Sequence, residues 1–404
     1  MFANADIASR FFHTITARPR LVLVVSIALI AVAATGLGRL VKDTSVKAFI
    51  PPDHPALIAD ERAAEIFGLS DSIAIAVVTR DGSSIFTPSA FDLVSELSER
   101  VAALPNVRSD RVTSLATEAS ISGADGAVDV VPYIEERPAM AVQVSDSRTR
   151  WRAMPPHVGT IVSEDETGAI ILAELVDVAV ADKSFRSVLD ISGEFELAGY
   201  DLHVAGPGAI SGFLGDYIDR DARKLQPVVF MVVLAFIYFA FRRLRALPGP
   251  LLVVIGAAGG ALGLMAWAGV PYYAITNALP VVIVAISVAD AIHILSAYFL
   301  FRARLPDESV RNLVIRSMVT MARPITLTTL TTIAGFAGIG FASIMPPITA
   351  FAWFAALGVA LAWAFSMITL PNMLVLLRLG PSPAFESWQR NAPSGAGRLL
   401  ARVG

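Results

Sequence analysis

Runs without charge divide the chain, and a bilayer crossing needs about 20 mostly apolar residues. Leu21–Gly38 is the first such run, flanked by Arg18, Arg20 and Arg39. It is long for a signal-peptide core, and the Ala33-Ala34-Thr35-Gly36 near its end is a weak cleavage sequence, so it is read as a retained helix. Leu225–Phe241 is the second run, closed by Arg242-Arg243-Leu244-Arg245. From Ala246 to Ala289 there are 44 uncharged residues, too many for one helix. Gly269-Val270-Pro271 splits them into a third span near Pro248–Ala268 and a fourth near Ala274–Phe301. A further 54 uncharged residues, Pro324–Leu377, are split by Met345-Pro346-Pro347 into spans five and six. Between spans four and five, Val310, Leu313, Val314, Met318 and Met321 recur at helical spacing, with Arg311, Arg316 and Arg323 elsewhere around the helix. This predicts an amphipathic helix over 307–322 in the membrane interface, with Asp307 as its N-cap.

Residues 39–224 alternate differently. Ile73–Val78 reads as a strand, Pro88–Leu104 as a helix with Phe91, Val94, Leu97 and Val101 on one face, and Val107–Thr113 as a strand. Ala169–Val180 (strand), Lys183–Phe195 (helix) and Leu202–Ala205 (strand) repeat the pattern, and Gly208–Leu225 is a helix leading into span two. Two tandem β-α-β units predict an α+β sandwich of the ferredoxin-like kind. Ser114–Trp151 is expected to form a hairpin and a loop. The fold class is therefore an α-helical membrane protein with six transmembrane helices and an extracytoplasmic α+β domain.

Charge sharpens this division. Of the 404 residues 55% are hydrophobic and 17% charged, against roughly 25% charged in a soluble domain. Residues 39–224 carry a net charge of −13 and the remainder +10, so the overall −3 conceals an acidic domain joined to a basic, hydrophobic one. A nucleic-acid-binding protein is excluded, because the basic residues are not on the soluble part. Every arginine-bearing connection falls on one side of the membrane, while the short connections three-to-four and five-to-six contain no Lys or Arg. Both termini, 1–20 and 378–404, are thus expected in the cytoplasm and the acidic domain outside it. The absence of cysteine removes disulfides, thiol nucleophiles and Cys-ligated metals.

Spans two to six contain one acid, Asp290. An ionised carboxyl at mid-bilayer costs about 2.5–3.5 kcal/mol on insertion scales, so such residues are rare and usually functional. Ser287 precedes Asp290 by one turn and His293 follows it by one, so the three are expected along one side of the helix. A carboxyl and an imidazole stacked there form a candidate proton relay, Asp290 and His293, with Ser287 in support. The competing reading is a buried polar contact that locks helix packing. Span five opens with Thr326, Thr328, Thr329, Thr331 and Thr332; Thr328, Thr329 and Thr332 are candidates for relay support, against a packing role with hydroxyls bonded to their own helix. Gly256, Gly259, Gly260 and Gly263 in span three form interleaved small-xxx-small pairs and are assigned to helix packing. His13, His54, His157 and His203 lack ligand spacing, and no metal site is expected. No G-x-x-x-x-G-K-[ST], G-x-S-x-G or H-E-x-x-H occurs, so direct ATP use and hydrolytic catalysis are not expected.

Several motifs converge on one family. Asp43-Thr44-Ser45, Phe49-Ile50-Pro51 and Phe67-Gly68 follow span one. Ser287-Val288-Ala289-Asp290-Ala291-Ile292-His293 lies in span four, and Arg323-Pro324-Ile325-Thr326 with Thr328–Phe336 opens span five. Span six ends in Leu370-Pro371. With one span, a large outer domain and five further spans, the chain resembles one half of a resistance–nodulation–cell division (RND) transporter. It is most similar to the branch of MmpL-like and hopanoid-type lipid and hydrophobe exporters.

The resemblance implies a proton gradient as energy source, with no cofactor, and protons moving inward past Asp290 to drive export of a lipid or other hydrophobic or amphiphilic molecule. It also implies a bacterial-type inner membrane and a periplasmic porter domain, with periplasmic accessory proteins as partners. Two features depart from the family: six spans instead of twelve, and no paired acid or intramembrane lysine. The expectation is a homodimer, or a chain that a second homologous half completes. In a symmetric dimer the two fourth spans would face each other and their carboxyls would titrate as a coupled pair. Two other readings are a sterol-sensing-type regulator that binds lipid without pumping and a SecD/SecF-like export accessory; His293 weighs against the latter.

Overall fold

The computed structural model describes residues 5–124, 127–195 and 199–380. The chain folds as two compact units, one of Asp43–Asp219 and one of Met1–Lys42 with Arg220–Gly404. Among the described residues six helices are long and apolar enough to cross a membrane, and the four-stranded sheet and the hairpin lie in the first unit. The tail expected over 378–404 lies outside the described residues beyond Gly380.

The chain opens with α1 (Ala5–Ile15) and α2 (Pro19–Ala34), the latter extended by a 3₁₀ turn, Thr35–Arg39. In the sheet unit, α3 (Pro55–Phe67) ends on Gly68 in the left-handed conformation and precedes β1 (Ser72–Thr79). Then come α4 (Pro88–Ala102), β2 (Val107–Thr113), β3 (Ala119–Ala124) and β4 (Ala127–Pro132). After them lie α5 (Ala141–Arg152), β5 (Gly168–Leu175), α6 (Ala181–Phe195) and β6 (Tyr200–Ala205). β1, β2, β5 and β6 form one antiparallel sheet in the order β2-β5-β1-β6, and β3 and β4 form a separate hairpin. Alternate residues of β1, Ile73, Ile75 and Val77, are fully buried against Phe91, Val94 and Leu97 of α4.

Three expectations for this unit are corrected. The loop expected before Trp151 is largely helix α5, whose buried stripe is only Val144, Ser147 and Trp151. α3 was not anticipated, and among its residues Leu57 alone is buried. The strand expected to reach Val180 stops at Leu175. The Asn106 side chain there accepts from the Asp177 N–H and donates to the Asp177 carbonyl, both at 2.9 Å, capturing backbone that would otherwise extend the ladder.

α7 (Pro207–Phe241) begins in the first unit and continues into the membrane unit, which adds α8 (Pro248–Val254) and α9 (Gly260–Trp267), joined by a π-helical turn, Ile255–Gly259. α10 (Leu279–Arg304), α11 (Val310–Ala342) and α12 (Pro346–Leu377) complete it. α12 packs against α2, α8, α9, α10 and α11. The separate interfacial helix expected over 307–322 is instead the first half of α11, which continues through Pro324 to Ala342, capped by Ser309 and not by Asp307. The predicted apolar face is correct in composition, but Leu313, Val314 and Met318 join a protein core with Phe12 of α1 and Tyr298 of α10. Arg311 fastens α1 by donating to the His13 carbonyl at 2.7 Å.

Candidate functional site

α10 carries the acid because its flanking turns are apolar enough to be held inside the unit: Ile283, Ala291, Ile294 and Leu295 are all fully buried. Asp290 shares that face and is 7% exposed. Its Oδ2 is buried without a hydrogen-bond partner, so the carboxyl has not been absorbed into a structural polar contact. Ser287 is fully buried too, but its hydroxyl donates to the Ile283 carbonyl at 2.7 Å, within its own helix.

His293 is placed differently from the expectation of a common side. It is exposed, on a stripe with Val281, Ala285 and Ala289 at four-residue spacing. A three-residue step turns a helix by 300°, so Asp290 and His293 differ by about 60° around the axis, and the edge of the packed face falls between them. No hydrogen bond or ion pair joins them.

The threonines of α11 other than Thr329 are bonded within their helix. Thr328 donates to the Ile325 carbonyl at 2.9 Å, and Thr331 and Thr332 both to that of Thr328 at 2.8 Å. Thr329 is buried. Thr326 is the one that reaches another element, accepting from Trp363 Nε1 of α12 at 3.0 Å. Thr328, Thr331, Gly335 and Gly338 are exposed, and a Cβ built on either glycine meets nothing within 4 Å.

In span three the glycines divide. A Cβ on Gly263 would run into the Ala33 carbonyl of α2, one on Gly256 would lie 2.8 Å from the Phe365 ring, and one on Gly260 3.0 Å from Leu361. Gly259 has open space around its Cβ position and lines a cavity of about 260 Å³ with Val229, Val254, Ala258, Pro280 and Val284.

A polar stripe on α12 escaped the sequence reading. Ser366, Thr369 and Asn372 recur every third residue and are buried, with Thr369 bonded to Ser26 of α2 at 2.9 Å. Ser366 Oγ and Asn372 Oδ1 have no partner. Three hydrophilic side chains at helical spacing in an apolar span were the available signal. Among the described residues, no group of three or more His, Cys, Asp or Glu could hold a metal ion.

A family model described as Patched SSD matches residues 228–376, the region that contains Asp290, the threonines and the cavity around Gly259. That domain occurs in RND-superfamily and MmpL-type proteins and in sterol-sensing proteins. No curated protein matches the chain significantly. The match and the six apolar helices indicate a multi-pass membrane protein of the lipid- or sterol-related transporter or sensor kind.

Proposed function

We propose that the chain is a proton-driven RND-type transporter, or one half of one, that exports lipids or other hydrophobic molecules, with Asp290 as the proton-carrying group. The observation that carries this reading is a buried carboxyl with an unpartnered oxygen in the span of a Patched SSD-type unit where no second acid lies. Burying such a group unpaired is costly, so its presence in a span marks a position with a use. Proton uptake there changes the local charge by a full unit, which can bias helix packing between two arrangements.

The sheet unit is the porter-like domain in this reading. Its β-α-β, β-α-β connectivity and antiparallel order β2-β5-β1-β6 support a ferredoxin-like sandwich. Arginines at the ends of α10 and α12, and between α7 and α8, support a cytoplasmic placement of those ends and of both termini in a bacterial-type inner membrane. The exposed stripe of small residues on α10, with His293 on it, supports a second copy or homologous half facing that helix. His293 then serves the interface first and the relay second. The back-bonded threonines of α11 act in helix packing, and Ser287 supports Asp290 only by position.

Reconstitution in liposomes under an imposed pH gradient tests the reading. Proton flux is expected in the wild type and lost in a folded Asp290→Asn protein. Equal flux in both would refute it. A second reading, a lipid-binding sensor without proton flux, is favoured by the apolar cavity at Gly259. Lipid-dependent conformational change without flux would select it.

A further inference from the structure

Away from Asp290, two apolar cavities adjoin along α2. The first, about 480 Å³, lies between Ala33 of α2, Gly256, Gly260 and Trp267 of the third span, and Phe365 of α12. The second, about 380 Å³, continues from it through Leu29, Leu361 and Phe365 toward Leu21. No charged side chain lines either. From Gly256 to Trp267 the wall runs about 16 Å at helical rise. That is about half of a 30 Å hydrocarbon core, one leaflet deep.

The Trp267 end carries a cation. The Arg39 guanidinium stands over the Trp267 ring, 4.4 Å from its centroid. Among the described residues no acid pairs with it, and the Arg39 side chain is exposed. The pair is held in place by the close approach of Gly36, where a Cβ would run into both the Gly263 carbonyl and the Trp267 ring. A cation over an aromatic ring at a span terminus suits the headgroup region of a bilayer.

We propose that this groove binds one anionic phospholipid, with an acyl chain along Gly256–Trp267 and the phosphate on Arg39. A lipid fits better than a helix of another protein. The exposed α2 side chains that line the two cavities are Leu21, Val25, Leu29 and Val32, bulky groups of lipid-facing texture, where close helix packing uses small ones. An anionic headgroup fits better than a zwitterionic one, because among the described residues Arg39 has no acidic partner and neither cavity is lined by an acid that could receive a headgroup's cation. The proposal is independent of proton transport and of Asp290.

Delipidated full-length protein, titrated in detergent with equal amounts of phosphatidylglycerol and phosphatidylcholine of the same chains and followed by native mass spectrometry, provides the test. The wild type should retain phosphatidylglycerol with about five-fold preference, the effect of one arginine at a membrane surface. Arg39→Gln should lose that preference, and Gly260→Leu, which fills the groove, should lose the bound lipid. Arg304→Gln, at the end of α10, should behave as wild type. A preference that survives Arg39→Gln would assign it to the other arginines and overturn the site, as would the absence of any preference in the wild type. Should Gly260→Leu not fold, a protein with Trp267 as its sole tryptophan reads the groove directly. Lipid brominated on the acyl chain should quench it more strongly in phosphatidylglycerol than in phosphatidylcholine. Equal quenching by both, or none by either because protein covers the groove, would also overturn the proposal.

Discussion

Glu166→Gln isolates one buried charge in the sheet unit. Glu166 is 5% exposed and sits at φ 60°, a left-handed conformation that costs a residue with a side chain about 1 kcal/mol or more. It is kept there by its surroundings. Its carbonyl accepts from the Ile85 N–H at 2.7 Å, and its carboxylate accepts from Arg152 Nε at 2.8 Å, from Arg148 and from Ser84. Removing one member of a fully buried ion pair costs about 3–5 kcal/mol. Here the arginine side chains are 42% and 60% exposed, so solvent screens them and about 2–3 kcal/mol is expected at pH 7.

The pH dependence fixes the sign. Burial raises the Glu166 carboxyl, but hydrogen bonds and charge from Arg148 and Arg152 outweigh it and hold the group below the ordinary glutamate range. A group depressed in the folded state stabilises fully above its unfolded value, about 4.3, and loses that contribution as pH falls through the folded value. Wild type and Glu166→Gln should therefore differ most at neutral pH, and the gap should narrow as pH falls below about 4.3. Urea unfolding of the full chain, read by Trp151 as its sole tryptophan, reports this directly, because Trp151 is 1% exposed and 5.3 Å from Phe86 in the same core. Equal stability at pH 7, or a gap that persists undiminished at pH 3, would refute the reasoning.

The membrane unit supplies the other predictions. Gly263→Leu should destabilise the contact of α2 with α9 by at least the 1–3 kcal/mol of ordinary overpacking, lowering the melting temperature in detergent, whereas Gly335→Ala, in open space, should change it little. Thr328→Val and Thr332→Val should leave proton flux within about two-fold of wild type, since both hydroxyls bond within α11; a loss of about ten-fold or more, equivalent to about 1.4 kcal/mol, would return them to the relay. Because the chain has no cysteine, Ala289→Cys gives a clean oxidative cross-link in membranes. A disulfide-linked dimer is expected if a second copy faces α10, and its absence alongside a cross-linked positive control would remove the homodimer form of the proposal.

The parts of this structure that a single dominant cost decides are the parts legible from sequence. Spans are legible because an unpaired backbone or charge in hydrocarbon is so expensive that charge-free runs mark them. β1 is legible because Ile73, Ile75 and Val77 alternate with smaller residues, and α4 because its apolar stripe is wide. α5 is not, since a stripe of Val144, Ser147 and Trp151 among charged residues reads as loop until the Ser147 hydroxyl is seen bonding the Tyr133 carbonyl. The first half of α11 shows a subtler limit. An amphipathic pattern records that one face is apolar, but the same pattern suits a lipid interface and a core containing Phe12 and Tyr298.

Asp290 and His293 show where spacing stops being sufficient. Their separation by one turn is compatible with a shared face, yet packing has drawn Asp290 in with Ile283 and Ile294 and left His293 out with Ala285 and Ala289. Proton exchange between them therefore needs a bridging water, because a rigid rotation of α10 leaves their angular separation of about 60° unchanged. A rotation of α10 by about 60° would instead turn Asp290 toward the surroundings that His293 now faces and expose its unpartnered oxygen to whatever packs there. In the proposed assembly, a partner that both contacts His293 and alters the rotation of α10 would couple assembly to protonation of Asp290 without any further ionisable residue in spans two to six.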